Sequence, residues 1–553
     1  MSYNDYYTLC QYKNNGYQLV RENFDYGLNY YINKFNNGFK KSNVELHHKF
    51  EYINYNIFFL FCKSISIQDR KIMVNLKWDN DFLDILYDNL IKLNHKWIII
   101  WFLLHCEYLY TSKSHSNKLI TLKKNMNYLK KRGKLYELNY FIKHPYMRIC
   151  LPFYSLSYRN NNNKDLFIDR HDTYLAMCPD LYANYLNNRK FSQNGKIKIA
   201  FMSQYLGRLS SPFRDRIGLI SNLPKDKFDV KIITFASEDK YTDKVKDFYN
   251  NNKELFVDLH SDDIESIRKK IGELNLDILF FCEIGMSMYN FLLSFSRLAP
   301  VQINTWGNSD TSGNKEIDYF VSSKYFEIED AQNHYSEKLI KFNSLSTYYY
   351  RPSTYLNYKY DEKFINDLNI PENHIVLGCM QTINKISNSM ELIFNDILNI
   401  PNTIILLSES IPLSIEQERR MVSNIKNSNR IIRFGTVNHS RFCSVISRCD
   451  IILDSYPFGG CNTSFECFDF NKPIVTYPTK YLNGRFTLGM YKKMGILDLI
   501  VNSHEEYILH IKKLIDDDYR NSIVEKIKDN KHKLFEDKES INEWIEFFES
   551  FRS

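Results

Sequence analysis

The residues best suited to chemistry in this chain run from Asp454 to Glu466, in the order Asp-Ser-Tyr-Pro-Phe-Gly-Gly-Cys-Asn-Thr-Ser-Phe-Glu. The pattern reads as a strand end, a Pro/Gly turn and a helix starting near Thr463. Gly459 and Gly460 let the backbone come close to a ligand and adopt positive φ. Asn462, Thr463 and Ser464 are helix N-cap types, and the free N–H groups and dipole of a helix start suit a diphosphate. Glu466 lies about one turn further on, where a carboxylate can accept hydrogen bonds from ribose hydroxyls. A plain strand–helix turn uses the same glycines and asparagine, so this stretch alone leaves both readings open. Lys385, in Gln381-Thr-Ile-Asn-Lys385, can neutralise charge on a departing phosphate or serve as an ordinary surface lysine. Arg485, in Asn483-Gly-Arg-Phe-Thr487, can contact the same ligand or cap a neighbouring element.

A second group lies upstream, in the stretch from Ala299 to Gly313. Trp306 offers an apolar face for a sugar ring, Gly307 permits close backbone approach, and Thr311 and Ser312 supply hydroxyls. Glu283, in Cys282-Glu-Ile-Gly285, falls at a strand end, where a carboxylate can act as a base with a pKa raised by partial burial. The literal Asp-x-Asp triplets, Asp79-Asn-Asp81 and Asp516-Asp-Asp518, sit in helical patterns and are not read as metal sites.

These residues need a scaffold, and the hydrophobic pattern supplies one. Residues 1–190 read as a helical region, possibly of degenerate repeats, with amphipathic stretches at Asp81–Leu93 and Lys96–Tyr110. From Lys196 onward, short Ile/Val/Phe runs alternate with amphipathic segments, as in βαβ units on parallel sheets. Residues 195–345 form one such lobe, with strands expected at 197–202, 229–235, 277–281, 301–305 and 317–322. A linker near Ser344–Tyr358 leads to a second lobe, 358–535, with strands at 374–379, 403–408, 430–434, 450–454, 474–477 and 498–501. Helices are expected at Ser261–Leu274, Glu416–Asn427, Arg441–Arg448, Phe465–Phe470, Arg485–Met494 and Glu505–Asp517, and residues 536–553 add a C-terminal helix. The fold class is therefore α/β, with two Rossmann-like lobes that place ligands at the carboxyl ends of their strands.

The bulk numbers narrow the function classes. A chain of 553 residues exceeds one core, and 44% hydrophobic with 25% charged residues is ordinary for a globular protein. The 41 Tyr and 39 Phe accompany an Asn, Ile and Lys bias that AT-rich coding produces, so aromatic clusters carry little information. A net charge of +7 is spread along the chain. Its densest basic stretch, Lys123 to Lys134, reads as a solvated helical face, so nucleic acid is not an expected partner. The 11 cysteines lack CxxC pairs, which suits reduced thiols and a cytoplasmic setting. The longest apolar run, Trp97–Leu104, is too short to span a bilayer, so a soluble protein without membrane insertion is expected.

From about Ile197 to Asp517 the chain resembles the catalytic region of the O-GlcNAc transferase family, whose relatives include Spindly-type protein fucosyltransferases and bacterial cytoplasmic N-glycosyltransferases. The resemblance rests on APVQINTWGNSDTSG with IDYFVSS (299–323), HYSEKLI (334–340), the Lys385 segment, and DSYPFGGCNTSFE with KPIVTYP and GRFT (454–487). It implies a GT-B fold and an inverting, metal-independent transfer from a UDP-sugar, GlcNAc first, to a protein Ser/Thr hydroxyl. No cofactor beyond the donor co-substrate is then expected. Alternatives are transfer of another hexose to Asn or a glycan, and a catalytically silent nucleotide-sugar-binding scaffold.

The resemblance makes Lys385 the donor-phosphate lysine, Asn462 and Thr463 phosphate contacts, and Glu466 the ribose ligand. It puts Gly307 beside the donor sugar and Val437 with its backbone facing uracil. Gly460, Cys461 and Arg485 complete the expected UDP-sugar site, and Glu283 is the candidate base. The sequence also departs from the family. Leu209 takes the place of a histidine, Cys461 replaces a histidine beside the diphosphate, and His439 and Phe442 replace a lysine and a histidine near the nucleotide.

Overall fold

Apolar runs too short for helices, separated by amphipathic segments, have one efficient solution: parallel strands whose crossover helices cover both faces. The chain adopts it twice in the computed structural model. The structure describes residues 112–143 and 154–552, apart from 187, 236–237, 242, 262, 409–420 and 422. The expected helices at 81–93 and 96–110 and the Asp79-Asn-Asp81 triplet lie outside the described residues. Half of the expected helix at 416–427, residues 416–420 and 422, also lies outside them.

The first sheet contains β1 (Ile197–Met202), β2 (Phe228–Thr234), β3 (Phe256–Asp258), β4 (Ile278–Phe281), β5 (Val301–Thr305), β6 (Tyr319–Ser323) and β7 (Lys338–Phe342). All pairings are parallel, in the order β3-β2-β1-β4-β5-β6-β7. The order reverses between β1 and β4, so a crevice opens beyond their carboxyl ends, where Ser203 and Cys282–Glu283 follow. The second sheet has β8 (Ile375–Cys379), β9 (Thr403–Ser408), β10 (Ile431–Phe434), β11 (Ile451–Leu453) and β12 (Ile474–Val475), again all parallel, in the order β10-β9-β8-β11-β12. Its reversal falls between β8 and β11. Gln381–Lys385 leave β8 there, and the Asp454–Glu466 stretch leaves β11.

Two edge strands went unread. β3 has three residues, none of them buried, and β7 carries lysines at Lys338 and Lys341, so neither shows a continuous apolar run. Residues 498–501 make only an isolated bridge from Thr476 to Ile500 rather than a strand. Ahead of the lobes, the helix Ser112–Arg132 packs on Lys164–Met177. Its Lys123, Lys124 and Lys131 are exposed, and Lys130 pairs with Asp169 at 3.1 Å. No described helix is long and apolar enough to cross a membrane.

The chain passes between the lobes twice. Residues 344–352 lead into the second lobe, and residues 535–537 lead back to the helix Lys538–Glu549, which packs on the first. The two passages touch, since Glu536 N donates to Tyr349 O at 3.0 Å. Trp544 anchors the returning helix. It is fully buried, its ring lies 5.2 Å from Phe280 and 4.8 Å from Phe342, and its Nε1 donates to Ser346 O at 3.1 Å. Trp544→Ala should therefore cost about 3–5 kcal/mol of stability, read as a lowered midpoint in urea unfolding. A midpoint shift worth under about 1 kcal/mol would mean that the helix is not an integral part of the first lobe's core.

Candidate active site

The Asp454–Glu466 turn is built around a buried carboxylate. Asp454 is 3% exposed; its Oδ1 accepts from Gly460 N at 2.6 Å and its Oδ2 from Thr476 Oγ1 at 2.7 Å. Gly459 N donates to Asn483 O at 2.9 Å, and Ser464 Oγ lies 2.8 Å from Thr487 Oγ1, so the Gly-Arg-Phe-Thr segment backs the turn. A Cβ at Gly460 would stand 2.5 Å from Ser464 Oγ and 2.6 Å from both Gln381 Nε2 and Thr463 Oγ1. Only glycine fits. The helix Asn462–Asp469 then begins with Cys461 at its N-cap and no side chain capping it, which leaves the first turn's N–H groups without a side-chain acceptor.

Lys385 closes on this helix start from β8. Its Nζ donates to Gln381 Oε1 at 2.9 Å and to Gly459 O at 2.6 Å, and lies 4.0 Å from the centre of the Phe458 ring. Burial lowers its pKa to about 8, although the Asp454 carboxylate opposes the shift. Gln381 Nε2 donates in turn to Thr463 Oγ1. An amine, an amide and a hydroxyl thus converge on one uncapped helix start, a positive cradle with the donors an anion needs.

The remaining expected residues divide. Glu466 is 1% exposed; its Oε1 accepts from Arg214 Nη1 and lies 2.8 Å from His439 Nε2. Burial alone would raise this carboxyl, but Arg214 and His439 together hold it below its usual range. Val437 lies in the loop between β10 and the helix His439–Arg448, half-buried against the second lobe's apolar core. Cys461 is also half-buried, its thiol pushed up by burial. The Asn462 side chain is turned to the first lobe: Oδ1 accepts from Tyr349 OH at 2.6 Å and Nδ2 donates to Asp215 Oδ1 at 3.1 Å. Arg485 spans the lobes by donating to the carbonyls of Phe326 and Thr479, the second at 2.9 Å. These contacts are those of a cap.

The first-lobe wall differs from expectation. Trp306 is 3% exposed, donates from Nε1 to Ser346 Oγ at 2.8 Å, and carries the Arg216 guanidinium 4.4 Å from its ring centre. A buried indole with its N–H satisfied and a cation over its face is a core pillar, not a sugar platform. Thr311 Oγ1 and Ser312 N both donate to Glu337, so that loop is internally bonded as well. Gly307 is required by packing, because a Cβ there would lie 2.0 Å from Cys282 O. Leu209, at the family histidine's place, packs on the first lobe's apolar core. Sequence reasoning quoted Asp454, Gln381 and Phe458 without giving them roles, and it missed Arg214, Asp215 and Tyr349. Asp454 at a strand end and Gln381 four residues before Lys385 were the available signals; Arg214 and Tyr349 offered none.

Glu283 has no exposed surface. It accepts from Ser203 Oγ at 3.3 Å and from Met286 N at 3.0 Å, which ties β1 to the loop after β4. Burial raises its pKa from 4.5 to about 8, so the carboxyl keeps its proton to a higher pH than a solvated glutamate does. Between those two values the unfolded chain releases the proton that the folded protein keeps, so stability falls as pH rises through this window. Glutamine mimics the protonated acid, with an oxygen for Met286 N and a donor for Ser203. Glu283→Gln should therefore gain on wild type in melting temperature steadily from about pH 5 to pH 8. A difference that stays constant across that range would contradict the buried, protonated carboxyl.

No family model matches the chain. It is 22% identical over 306 residues to the probable UDP-N-acetylglucosamine--peptide N-acetylglucosaminyltransferase SPINDLY of Solanum lycopersicum, covering 53% of this chain and 32% of that protein. It is also 22% identical over 332 residues to the probable UDP-N-acetylglucosamine--peptide N-acetylglucosaminyltransferase SEC of Arabidopsis thaliana, covering 56% of this chain and 32% of that one. The chain thus spans about a third of the length of these curated relatives. A mutant O-GlcNAc transferase from Thermobaculum terrenum shares the fold, with a TM-score of 0.63 and 16% identity over 79% of this chain and 82% of that one. In sequence the chain is thus similar to these N-acetylglucosaminyltransferase relatives, and its two parallel-sheet lobes share the GT-B fold of the Thermobaculum terrenum O-GlcNAc transferase.

Proposed function

We propose that this protein is a glycosyltransferase that draws on a UDP-sugar, GlcNAc first, and transfers the sugar with inversion to a Ser or Thr hydroxyl of a protein. The observation that carries this reading is the convergence of Lys385, Gln381 and Thr463 on the uncapped start of the helix Asn462–Asp469. The diphosphate lies against that helix start, with the ribose one turn away at Glu466 and uracil beside Val437. As the bond to the anomeric carbon breaks, negative charge grows on the β-phosphate, and Lys385 with the helix N–H groups stabilises it. An acceptor hydroxyl attacks from the opposite face. The names of the curated relatives favour GlcNAc and a peptide acceptor.

The transfer needs no divalent ion in this reading, because Lys385 and the helix start supply the positive potential at the diphosphate. Calorimetry of UDP binding should give the same affinity with and without EDTA, and binding that vanishes on chelation overturns the metal-independent mechanism. One observation favours a second reading. Leu209 packs in apolar surroundings and has no titratable proton, as expected of a nucleotide-sugar-binding scaffold without turnover. A panel of radiolabelled UDP-sugars decides between them: UDP release from at least one sugar supports the transferase, and release from none supports the scaffold.

Lys385→Ala should slow turnover about a hundredfold, on the order of 3 kcal/mol, with the melting temperature little changed. Since the wild-type amine loses its charge as pH rises through about 8, UDP affinity should decline above that pH in wild type but not in the alanine variant. Turnover within about threefold of wild type, or a pH limb that survives the substitution, would remove Lys385 from the mechanism.

A further inference from the structure

The helix Ser211–Asn222 belongs to the first lobe, yet its first turn reaches the second lobe's donor turn. Arg214 Nη1 donates to Glu466 Oε1, and Asp215 Oδ1, one residue on, accepts from Asn462 Nδ2 at 3.1 Å. Asn462 and Glu466 stand four residues apart on one helix face, a separation of about 6 Å along the axis. An arginine anchored beside Asn462 can serve either end of that turn.

In this structure Glu466 is engaged on the same oxygen by Arg214 and His439, so a ribose diol reaches that oxygen only by exchanging with one of them. His439 shares the lobe of Glu466, on a helix packed against Asn462–Asp469, and its ring nitrogens also lie 3.5 and 3.6 Å from Cys443 Sγ. Arg214 comes from the opposite lobe on a flexible stem. Its Nε is buried without a hydrogen-bond partner, so the guanidinium is under-used where it sits. A phosphate accepts two parallel N–H bonds from a guanidinium and carries more charge than a carboxylate.

We propose that Arg214 is a donor-binding residue supplied by the first lobe: on arrival of a nucleoside diphosphate its guanidinium moves from Glu466 to the diphosphate, and the ribose hydroxyls take its place on the carboxylate. This rests on the UDP-sugar reading of the Glu466 turn. It makes Arg214 a discriminator between phosphorylated and bare nucleosides, because only a diphosphate offers the guanidinium a replacement for the partner that the ribose displaces.

The test is calorimetric binding of UDP and of uridine to wild type, Arg214→Met and Arg214→Lys. Arg214→Met should weaken UDP binding by about tenfold or more and leave uridine equal or tighter, since the ribose no longer competes with a guanidinium. Arg214→Lys keeps a charge without the planar fork, and its UDP-to-uridine preference should fall between the other two. If UDP and uridine shift by the same factor in both variants, Arg214 only props the lobes together and the proposal is wrong. If the Met variant fails to fold, the Lys variant decides, and an unchanged UDP-to-uridine ratio there overturns the proposal. Wild-type protein that binds no UDP would instead overturn the donor reading itself, whereas wild-type UDP binding with an unchanged ratio in the variants removes Arg214 alone.

Discussion

A carboxylate excluded from water and satisfied by hydrogen bonds is an expensive group to misplace, and Asp454 is one. Its two oxygens take the Gly460 N–H and the Thr476 hydroxyl, and its own carbonyl accepts from Tyr507 OH at 3.1 Å. Losing any partner would strand a buried acceptor at a cost of about 1–3 kcal/mol, so the turn has little freedom to take another shape. That rigidity presents the helix at Asn462 end-on to Lys385 and holds Gly459 O at the lysine's amine. Preorganisation of this kind matters more for a charge-stabilising site than any single contact, because dipoles already aligned need no reorganisation as charge develops.

The donor turn belongs to the second lobe by sequence, but its orientation is fixed from both. Tyr349 lies flat on Phe465, with ring centres 4.1 Å apart, and donates to Asn462, while Asp215 accepts from the same side chain. Behind them Arg216, fully buried, donates to Ser346 O and Thr305 Oγ1 while it covers Trp306. Burial lifts the Asp215 pKa to about 6 even with two arginines as neighbours, a sign of how dry this junction is. The Asn462 side chain is held by both Tyr349 and Asp215, which pairs its amide across the lobes. Such a network specifies one arrangement more strongly than apolar packing of the same area would.

Much of the scaffold was legible because parallel strands buried on both faces write themselves as continuous apolar runs. β1, β4, β5, β8 and β9 read in this way. β3 and β7 escaped because edge strands are short or carry lysines, which hides the pattern. At the site, the glycine turn and Lys385 were readable from local residue types. The uses of Trp306 and Asn462 were not, because both are decided by partners far away in the chain, Arg216 and Ser346 for one, Tyr349 and Asp215 for the other. Arg214 carries no local signature at all, and its meaning comes wholly from what it meets.

The paired passages between the lobes have a mechanical consequence. One tether would leave the second lobe free to swivel, but two tethers bonded to each other at Glu536 and Tyr349 define a line. Any displacement of the second lobe that separates the passages must break the Glu536–Tyr349 bond. Tyr349 therefore has three duties: its carbonyl holds the returning passage, its ring lies on Phe465 and its hydroxyl holds Asn462. The residue that joins the two passages is thus the same one that positions the start of the donor helix, so the connection between the lobes and the shape of the phosphate cradle are set at a single side chain.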